Sequence, residues 1–297
     1  MHPSPQSLVT AEDMQALLKR NNRHGLVHIA LHVALIITSG LLLAVSTSIL
    51  ITCIWTLVLG FLLTFLFAPL HETIHKTAFQ SPVLNTLTGN IAGFVILLPP
   101  RYFRAFHMTH HRHTQVQGRD PELDTEKPAS FIQYLYLLTG IPHWIGEVSL
   151  ICQNAIGRNR ASFIRENRFP GVVQEARLFL LLYGVIIISS VASASNFAVT
   201  YWVIPMLVGQ PFLRGFLLAE HALCPRVKNM LENTRTTMTN PFARWLCWNM
   251  NYHVEHHVFP AIPFHNLAAT HKYLEPHIAC LDRGYIDVNR QVIRALS

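Results

Sequence analysis

The chain has 297 residues, 51% of them hydrophobic and only 13% charged, with a mean hydropathy of +0.29. Charged residues make up about a quarter of an ordinary soluble domain, so this composition excludes a typical soluble enzyme and points to a membrane protein. The formal net charge of +7 does not call for a nucleic-acid partner, because Lys and Arg gather on the cytoplasmic flank of membrane helices in any case.

Taken in order, the chain opens with Thr10 placed as an N-cap ahead of a short amphipathic segment from Ala11 to Asn21. Acids precede the basic residues there and the apolar run that follows is too long for a signal-peptide core, so the N-terminus is expected to stay in the cytoplasm. From Gly25 to Leu70 there is no Lys, Arg, Asp or Glu, more than twice the ~20 residues that one crossing needs. This predicts a hairpin of two spans over about 26–70, turning near Ser46-Thr47-Ser48. His28 and His32 share one face of the first span and are expected near the headgroups or packed on a neighbour. A polar, basic insert, 71–177, follows. Its apolar pieces Ile91–Leu98 and Phe131–Ile151 are broken by Pro and Gly, which predicts helices lying in the interface or packed on the bundle. A second charge-free run from Leu178, continued to about Ala219, predicts a second hairpin over about 178–219 that turns at Ser193–Asn196. The region 220–297 is polar or mixed. With this topology all 23 Lys and Arg fall on one side, as positive-inside orientation demands. The expectation is a single all-α domain over 1–297: a four-helix membrane bundle of two hairpins under a cytoplasmic helical cap, both termini cytoplasmic. The five cysteines are scattered, with no C-x-x-C pair or disulfide framework, and are expected to be reduced.

The 18 histidines stand against the ~6–7 of ordinary usage. Three clusters hold eight of them. His71 and His75 end the first hairpin in His71-Glu72-Thr73-Ile74-His75. His107, His110 and His111 lie within Phe106-His107-Met108-Thr109-His110-His111-Arg112-His113. His253, His256 and His257 lie within Tyr252-His253-Val254-Glu255-His256-His257. At spacings i, i+3 and i+4 the three rings of a cluster leave one helical face and can converge on one point. His221, at the end of the fourth span, is a ninth candidate on the same side. Neutral imidazole is the commonest nitrogen ligand for transition metals, so a metal site is the leading reading. A structural zinc takes four ligands and a catalytic zinc usually three, so eight or nine imidazoles suit two metals of four or five ligands each. Ligand type alone does not choose among Zn, Cu, Fe and Ni; a pair of irons that activates O2 fits a membrane-embedded site with an apolar substrate.

The order H-x-x-x-H, H-x-x-H-H, H-x-x-H-H within four spans, from about Leu26 to Leu274, resembles the membrane fatty acid desaturase and hydroxylase superfamily. The family's first box matches His71 and His75, its second His107, His110 and His111, its third His253, His256 and His257, and its additional ligand His221. The resemblance implies two Fe ions, O2 as co-substrate and attack on an unactivated C–H bond, with no catalytic residue beyond the metal ligands. Where animal acyl-CoA desaturases carry an Asn that helps hold a water on one iron, this chain has Leu217; Asn251, two residues before the third box, is a candidate to supply an amide nearby. Glu72, Asp120, Glu220 and Glu255 are placed to orient metal-bound imidazoles. Arg119-Asp120-Pro121-Glu122 reads as a turn closing the second box, and Asn233–Thr237 as a polar loop over the site.

Desaturation of a lipid acyl chain is the preferred outcome, because the long hairpins can shelter a chain and the Phe259-Pro260 flank of the third box looks like acyl-lipid desaturases. Hydroxylases and ketolases of the same superfamily, acting on a lipid, carotenoid or other small apolar substrate, share the boxes. His71-Glu72-Thr73-Ile74-His75 also satisfies H-E-x-x-H, the signature of a zinc protease, but that reading leaves six box histidines without a role. A membrane metal carrier or sensor is the remaining alternative. No haem, flavin, nicotinamide or iron–sulfur motif is visible, so electrons are expected from a separate ferredoxin, rubredoxin or cytochrome b5-like donor. A basic face including Arg226, Lys228, Arg235 and Arg244 is a candidate dock for it. His2, His24, His265, His271 and His277 are expected to tolerate replacement.

Overall fold

The computed structural model describes residues 5–125 and 127–296; His2 lies outside the described residues. Thr10 caps α1 (Ala11–Leu17) by accepting from the Asp13 amide at 3.1 Å, and the helix stops four residues short of Asn21. The first hairpin is α2 (Arg23–Ala44) followed by α3 (Ile49–Thr64), which runs on after a break at Phe65-Leu66 into α4 (Phe67–His75). Next come α5 (Pro82–Val95) and α6 (Pro100–His113), bent by 98°, then α7 (Phe131–Leu138) and α8 (Ile141–Ala155), bent by 54°. Proline at the start of α5, α6 and α8 sets each new helix direction, since its ring suits the first turn and no other. The second hairpin is α9 (Phe169–Ala192) and, after a π turn at Val199–Val203, α10 (Ile204–His221). The remainder alternates α11 (Met230–Asn233), β1 (Arg235–Met238), α12 (Pro241–Leu246), α13 (His253–Val258), α14 (Leu267–Leu274), β2 (Cys280–Arg283) and α15 (Tyr285–Ala295).

Four stretches are long and apolar enough to cross a bilayer: Arg23–Ala44, Ile49–His75, Glu166–Ala192 and Val199–His221. Each bent pair, taken as one, is also apolar enough to be a broken span or a re-entrant loop, where the sequence predicted helices lying in the interface or packed on the bundle. Ile37, Leu41, Ile49, Leu181, Ile188 and Val191 point outward with more than half of their surface free. So continuous an apolar exterior suits lipid and not water. In lipid, helices gain little from burying apolar surface against each other, so α3 and α10 rely on backbone approach. A Cβ on Gly60 would stand 2.1 Å from the Pro205 carbonyl oxygen, and one on Gly209 2.2 Å from that of Gly60. The Thr64 hydroxyl also donates to the Gly60 carbonyl at 3.0 Å, which keeps the contact satisfied.

The helix of the third span begins at Phe169, before the Leu178 boundary read from the sequence. Glu175, which is buried, and Arg177, which is exposed, broke the apolar run, and both are hydrogen-bonded to neighbouring helices. Glu175 accepts from the Arg101 amide at 2.8 Å, and Arg177 donates to the Ala155 carbonyl at 2.8 Å. Charge paired in this way does not end a helix.

The fold is also not wholly α. β1 and β2 form a two-stranded parallel sheet, Arg235 opposite Cys280 and Met238 opposite Arg283, and the segment read as a polar loop over the site is this strand and its approach. Parallel strands need a long crossover, which α12, α13 and α14 supply, so the sheet clamps the third histidine cluster. Arg235 anchors it. Only 3% exposed, it donates to Asp282 at 2.7 Å and to the carbonyls of Ala219 and Ala222 at 2.7 Å each. It is therefore a buried tie between β2 and the end of α10, and not part of a surface dock.

Candidate metal centre

The nine candidate histidines come from α4, α6, α10 and α13, and all are buried. Nitrogens of His71, His75, His107, His111 and His256 lie within 4.8 Å of one another, as do those of His110, His221 and His257. His253 adjoins the second group: its Nε2 is 3.1 Å from Nε2 of His257, and its ring centroid is 5.1 Å from that of His221. The groups touch, with the rings of His111 and His257 stacked at 4.1 Å.

The division corrects one expectation. The three rings of a cluster do not meet at one point: His107 and His111 enter the first group and His110 the second, while His256 enters the first group and His257 the second. Helix geometry explains it. Residues four apart lie within about 40° of each other around the axis, whereas adjacent residues diverge by about 100°. The i, i+4 pairs therefore stay together and the histidine at i+3 turns to the other group, so the second and third boxes each reach both groups.

The donor set fits metal. A first-row ion about 2.0–2.1 Å from each nitrogen spaces neighbouring ligand nitrogens by roughly 2.9–3.4 Å. The Nε2 pairs of His107 with His111, His111 with His256, and His253 with His257 are 2.9, 3.1 and 3.1 Å apart. Burial pushes His256 down to about 3 and holds His253 and His257 well below the ordinary imidazole range, so these rings are neutral and keep a lone pair to offer. In the second group the Nδ1 atoms of His110, His221 and His257 are already engaged. His110 Nδ1 lies 2.9 Å from Asp120 Oδ1, His221 Nδ1 3.2 Å from the Asn233 carbonyl, and His257 Nδ1 3.2 Å from Thr114 Oγ1. That leaves Nε2 facing inward, and Nε2 of His110 and of His221 is buried without a hydrogen-bond partner. Fixing the tautomer from outside is how proteins prepare imidazole for a metal.

Of the four acids expected to orient the ligands, Asp120 does so most directly, and it also closes the Arg119–Glu122 turn by accepting from the Gln115 and Glu122 amides at 2.8 and 3.0 Å. Asp120→Asn is expected to weaken metal binding or turnover by about 10–100-fold, measured by titrating the metal-free protein; unchanged affinity would remove Asp120 from the site. Glu220 Oε1 is 3.5 Å from His253 Nδ1. Glu72 lies 3.8 Å from His71 Nδ1 and accepts from the Thr77 hydroxyl at 2.8 Å. Glu255 reaches none of the nine. It pairs with His271 and accepts from Thr236 at 2.6 Å, locking α13 to α14 and β1. His271 is thus a buried partner and not a freely replaceable histidine, while His24 and His265 stack on each other at 4.3 Å. His32 is buried with Nε2 2.8 Å from the Leu62 carbonyl, and His28 packs on Trp245, Trp248 and Phe264. Thr114 had no signature in the sequence, and Asn233, Thr236 and His271 were visible there only as part of a polar loop or as a replaceable histidine, because their contacts join distant segments.

The geometry does not favour the H-E-x-x-H reading. His71 and His75 meet three further imidazoles, where a catalytic zinc would need one more ligand, and the carboxylate of Glu72 is fully buried against Thr77. Beside the imidazoles lies a cavity of about 510 Å³ that touches His71, His107 and His253 and is walled by Phe67, Phe103 and Leu213. Leu217 lines it too, presenting an alkyl group where the resemblance would place an amide. Asn251 is buried, its carbonyl accepting from the Thr237 amide at 2.9 Å.

A sequence profile of the fatty acid desaturase family matches residues 47–288. The chain belongs to the fatty acid desaturase family. This family member is 26% identical over 205 residues to an sn-1 oleoyl-lipid 12-desaturase of Picosynechococcus sp., covering 62% of the chain and 57% of that relative. To an sn-1 oleoyl-lipid 12-desaturase of Arthrospira platensis it is 27% identical over 206 residues, with the same two coverages. A sphingolipid delta(4)-desaturase DES1-like protein of Arabidopsis thaliana is 26% identical over 193 residues, covering 64% of the chain and 53% of the relative. The matched part of this desaturase-family chain thus spans a little over half the length of these curated relatives.

Proposed function

We propose that this chain is an O2-dependent di-iron oxidoreductase that desaturates an acyl chain of a lipid or fatty acid. The observation that carries the reading is the convergence of nine buried imidazoles into adjoining groups of five and four beside a cavity walled in part by Phe67, Phe103 and Leu213. His71, His75, His107, His111 and His256 would hold one iron, and His110, His221, His253 and His257 the other. The irons, when bound, supply O2 activation and hydrogen abstraction from an unactivated C–H bond.

The protein's own groups do the rest. Asp120, Thr114 and the Asn233 carbonyl hold their imidazoles in one tautomer. Phe67, Phe103 and Leu213 keep water from the reacting carbons and position them against His71 and His107. The redox balance needs an outside donor: two hydrogen atoms, that is two electrons and two protons, leave the acyl chain, two more electrons come from the donor and two protons from solvent, and O2 becomes two waters. The exposed Arg226 and Lys228 offer a basic dock to an acidic donor protein. Positive-inside orientation puts this face, with the imidazoles, in the cytoplasm. The relatives' printed activities, on an oleoyl lipid and a sphingolipid, support an acyl-type substrate.

Expression in a heterologous host followed by mass spectrometry of total lipids tests the reading. A lipid species lacking two hydrogens is expected, dependent on the box histidines. Gain of one oxygen would replace desaturation by hydroxylation, and an unchanged lipid profile in the presence of an active donor would overturn it.

A further inference from the structure

The cavity beside the imidazoles is not apolar along its whole length. Away from His71 and His107 it is lined by Gln210 and Arg214 of α10 and by His143 and Glu147 of α8. Arg214 precedes His221 by seven residues on one helix, about 10 Å along the axis, and so lies within a stretch apolar enough to cross a bilayer. A charge at such a depth is costly, and in membrane proteins it marks a functional cavity.

The cluster is held in place but left incomplete. Arg214 Nε donates to Gln210 Oε1 at 3.0 Å, and His143 Nδ1 lies 3.6 Å from Glu147 Oε1. Gly140, at φ +69°, seats the turn between α7 and α8 on Gln210; a Cβ there would stand 2.5 Å from Gln210 Cγ. Among the described residues, Arg214 and Glu147 do not bond each other, and Glu147 Oε2 is buried with no hydrogen-bond partner. One wall of the cavity therefore offers guanidinium N–H donors and the other a free carboxylate acceptor.

We propose that this cluster recognises a neutral group on the substrate that both donates and accepts, a hydroxyl or an amide. The substrate oxygen accepts from Arg214, and its O–H or N–H donates to Glu147 Oε2. This rests on the cavity being the substrate site proposed above and adds the class of chain it admits. A plain hydrocarbon segment would leave both charged groups desolvated and unanswered. A carboxylate would satisfy Arg214 but meet the charge of Glu147. A site built to bond an O–H or N–H discriminates strongly against analogues that lack it.

The test is equilibrium binding of radiolabelled octadecanol to the full-length protein in detergent micelles, corrected for empty micelles and displaced by octadecanamide, octadecane or octadecanoate. Octadecanamide is expected to displace at concentrations at least about tenfold lower than octadecane or octadecanoate. In Arg214→Leu that preference should shrink to within about twofold. Glu147→Gln keeps the shape and an acceptor oxygen but removes the charge, so it should bind octadecanoate about tenfold more tightly than the unsubstituted protein does. This gain cannot come from misfolding. Equal displacement by all three competitors, a preference that survives Arg214→Leu, or a Glu147→Gln protein that binds octadecanoate no better would each overturn the proposal. No turnover is involved, so a failure to desaturate leaves the result readable.

Discussion

His256→Ala is expected to abolish turnover and to lower the metal content of the purified protein, with the helical fold retained. His256 is central to the five-imidazole group: its Nε2 is 3.1 Å from that of His111, and its ring centroid lies 4.6 and 4.5 Å from those of His71 and His75. It is fully buried, and burial leaves it a neutral donor. Alanine removes an imidazole that no neighbouring side chain can replace, because the other four rings are fixed on α4 and α6. His110→Ala should do the same to the second group, whose His110 is oriented by Asp120. Elemental analysis and lipid mass spectrometry check both. Full activity in either variant would end the metal assignment. His24→Ala is the control, since that ring only stacks on His265 and hydrogen-bonds Asn21.

Arg235→Met is expected to destabilise the protein by about 3–5 kcal/mol, the cost of breaking a buried ion pair from one side. The variant strands Asp282, which is partly open to water, and leaves the Ala219 and Ala222 carbonyls without their donor. Those carbonyls flank His221, so the loss reaches the second imidazole group as well as the sheet. Arg235→Lys should recover little, because an ammonium cannot reproduce the planar fork that serves three acceptors. Thermal unfolding of the purified protein in detergent measures the effect, and a variant as stable as the unsubstituted chain would show that the sheet does not depend on this tie.

Much of the architecture is written in local pattern. Charge-free runs twice the length of one crossing mark two hairpins, because lipid tolerates nothing else over that length. Their turns fall where Ser46–Ser48 and Ser193–Asn196 interrupt the apolar sequence, and the structure ends the flanking helices at Ala44 and Ala192. Eight of the nine histidines were legible for the same reason, since spacing along one helix is a property of a few adjacent residues; His221 was legible only from its place at the end of the fourth apolar run and from the family resemblance. Glu175 and Arg177 misled the start of the third span, since the residues that satisfy them lie on α6 and α8. The strand at Arg235–Met238 was hidden because its partner follows a crossover through three helices.

The sequence by itself therefore determined that the chain is built of membrane helices and that nine imidazoles lie on one side of them, since hydropathy and helical spacing are carried by neighbouring residues. Tertiary structure alone decided which ring joins which group, that Glu255 serves His271 and that Arg235 is buried. It also decided that Arg214 and Glu147 face one cavity. Each of these is a distance between segments far apart in the chain, set by how α4, α6, α8, α10 and α13 pack together, and no local pattern encodes it.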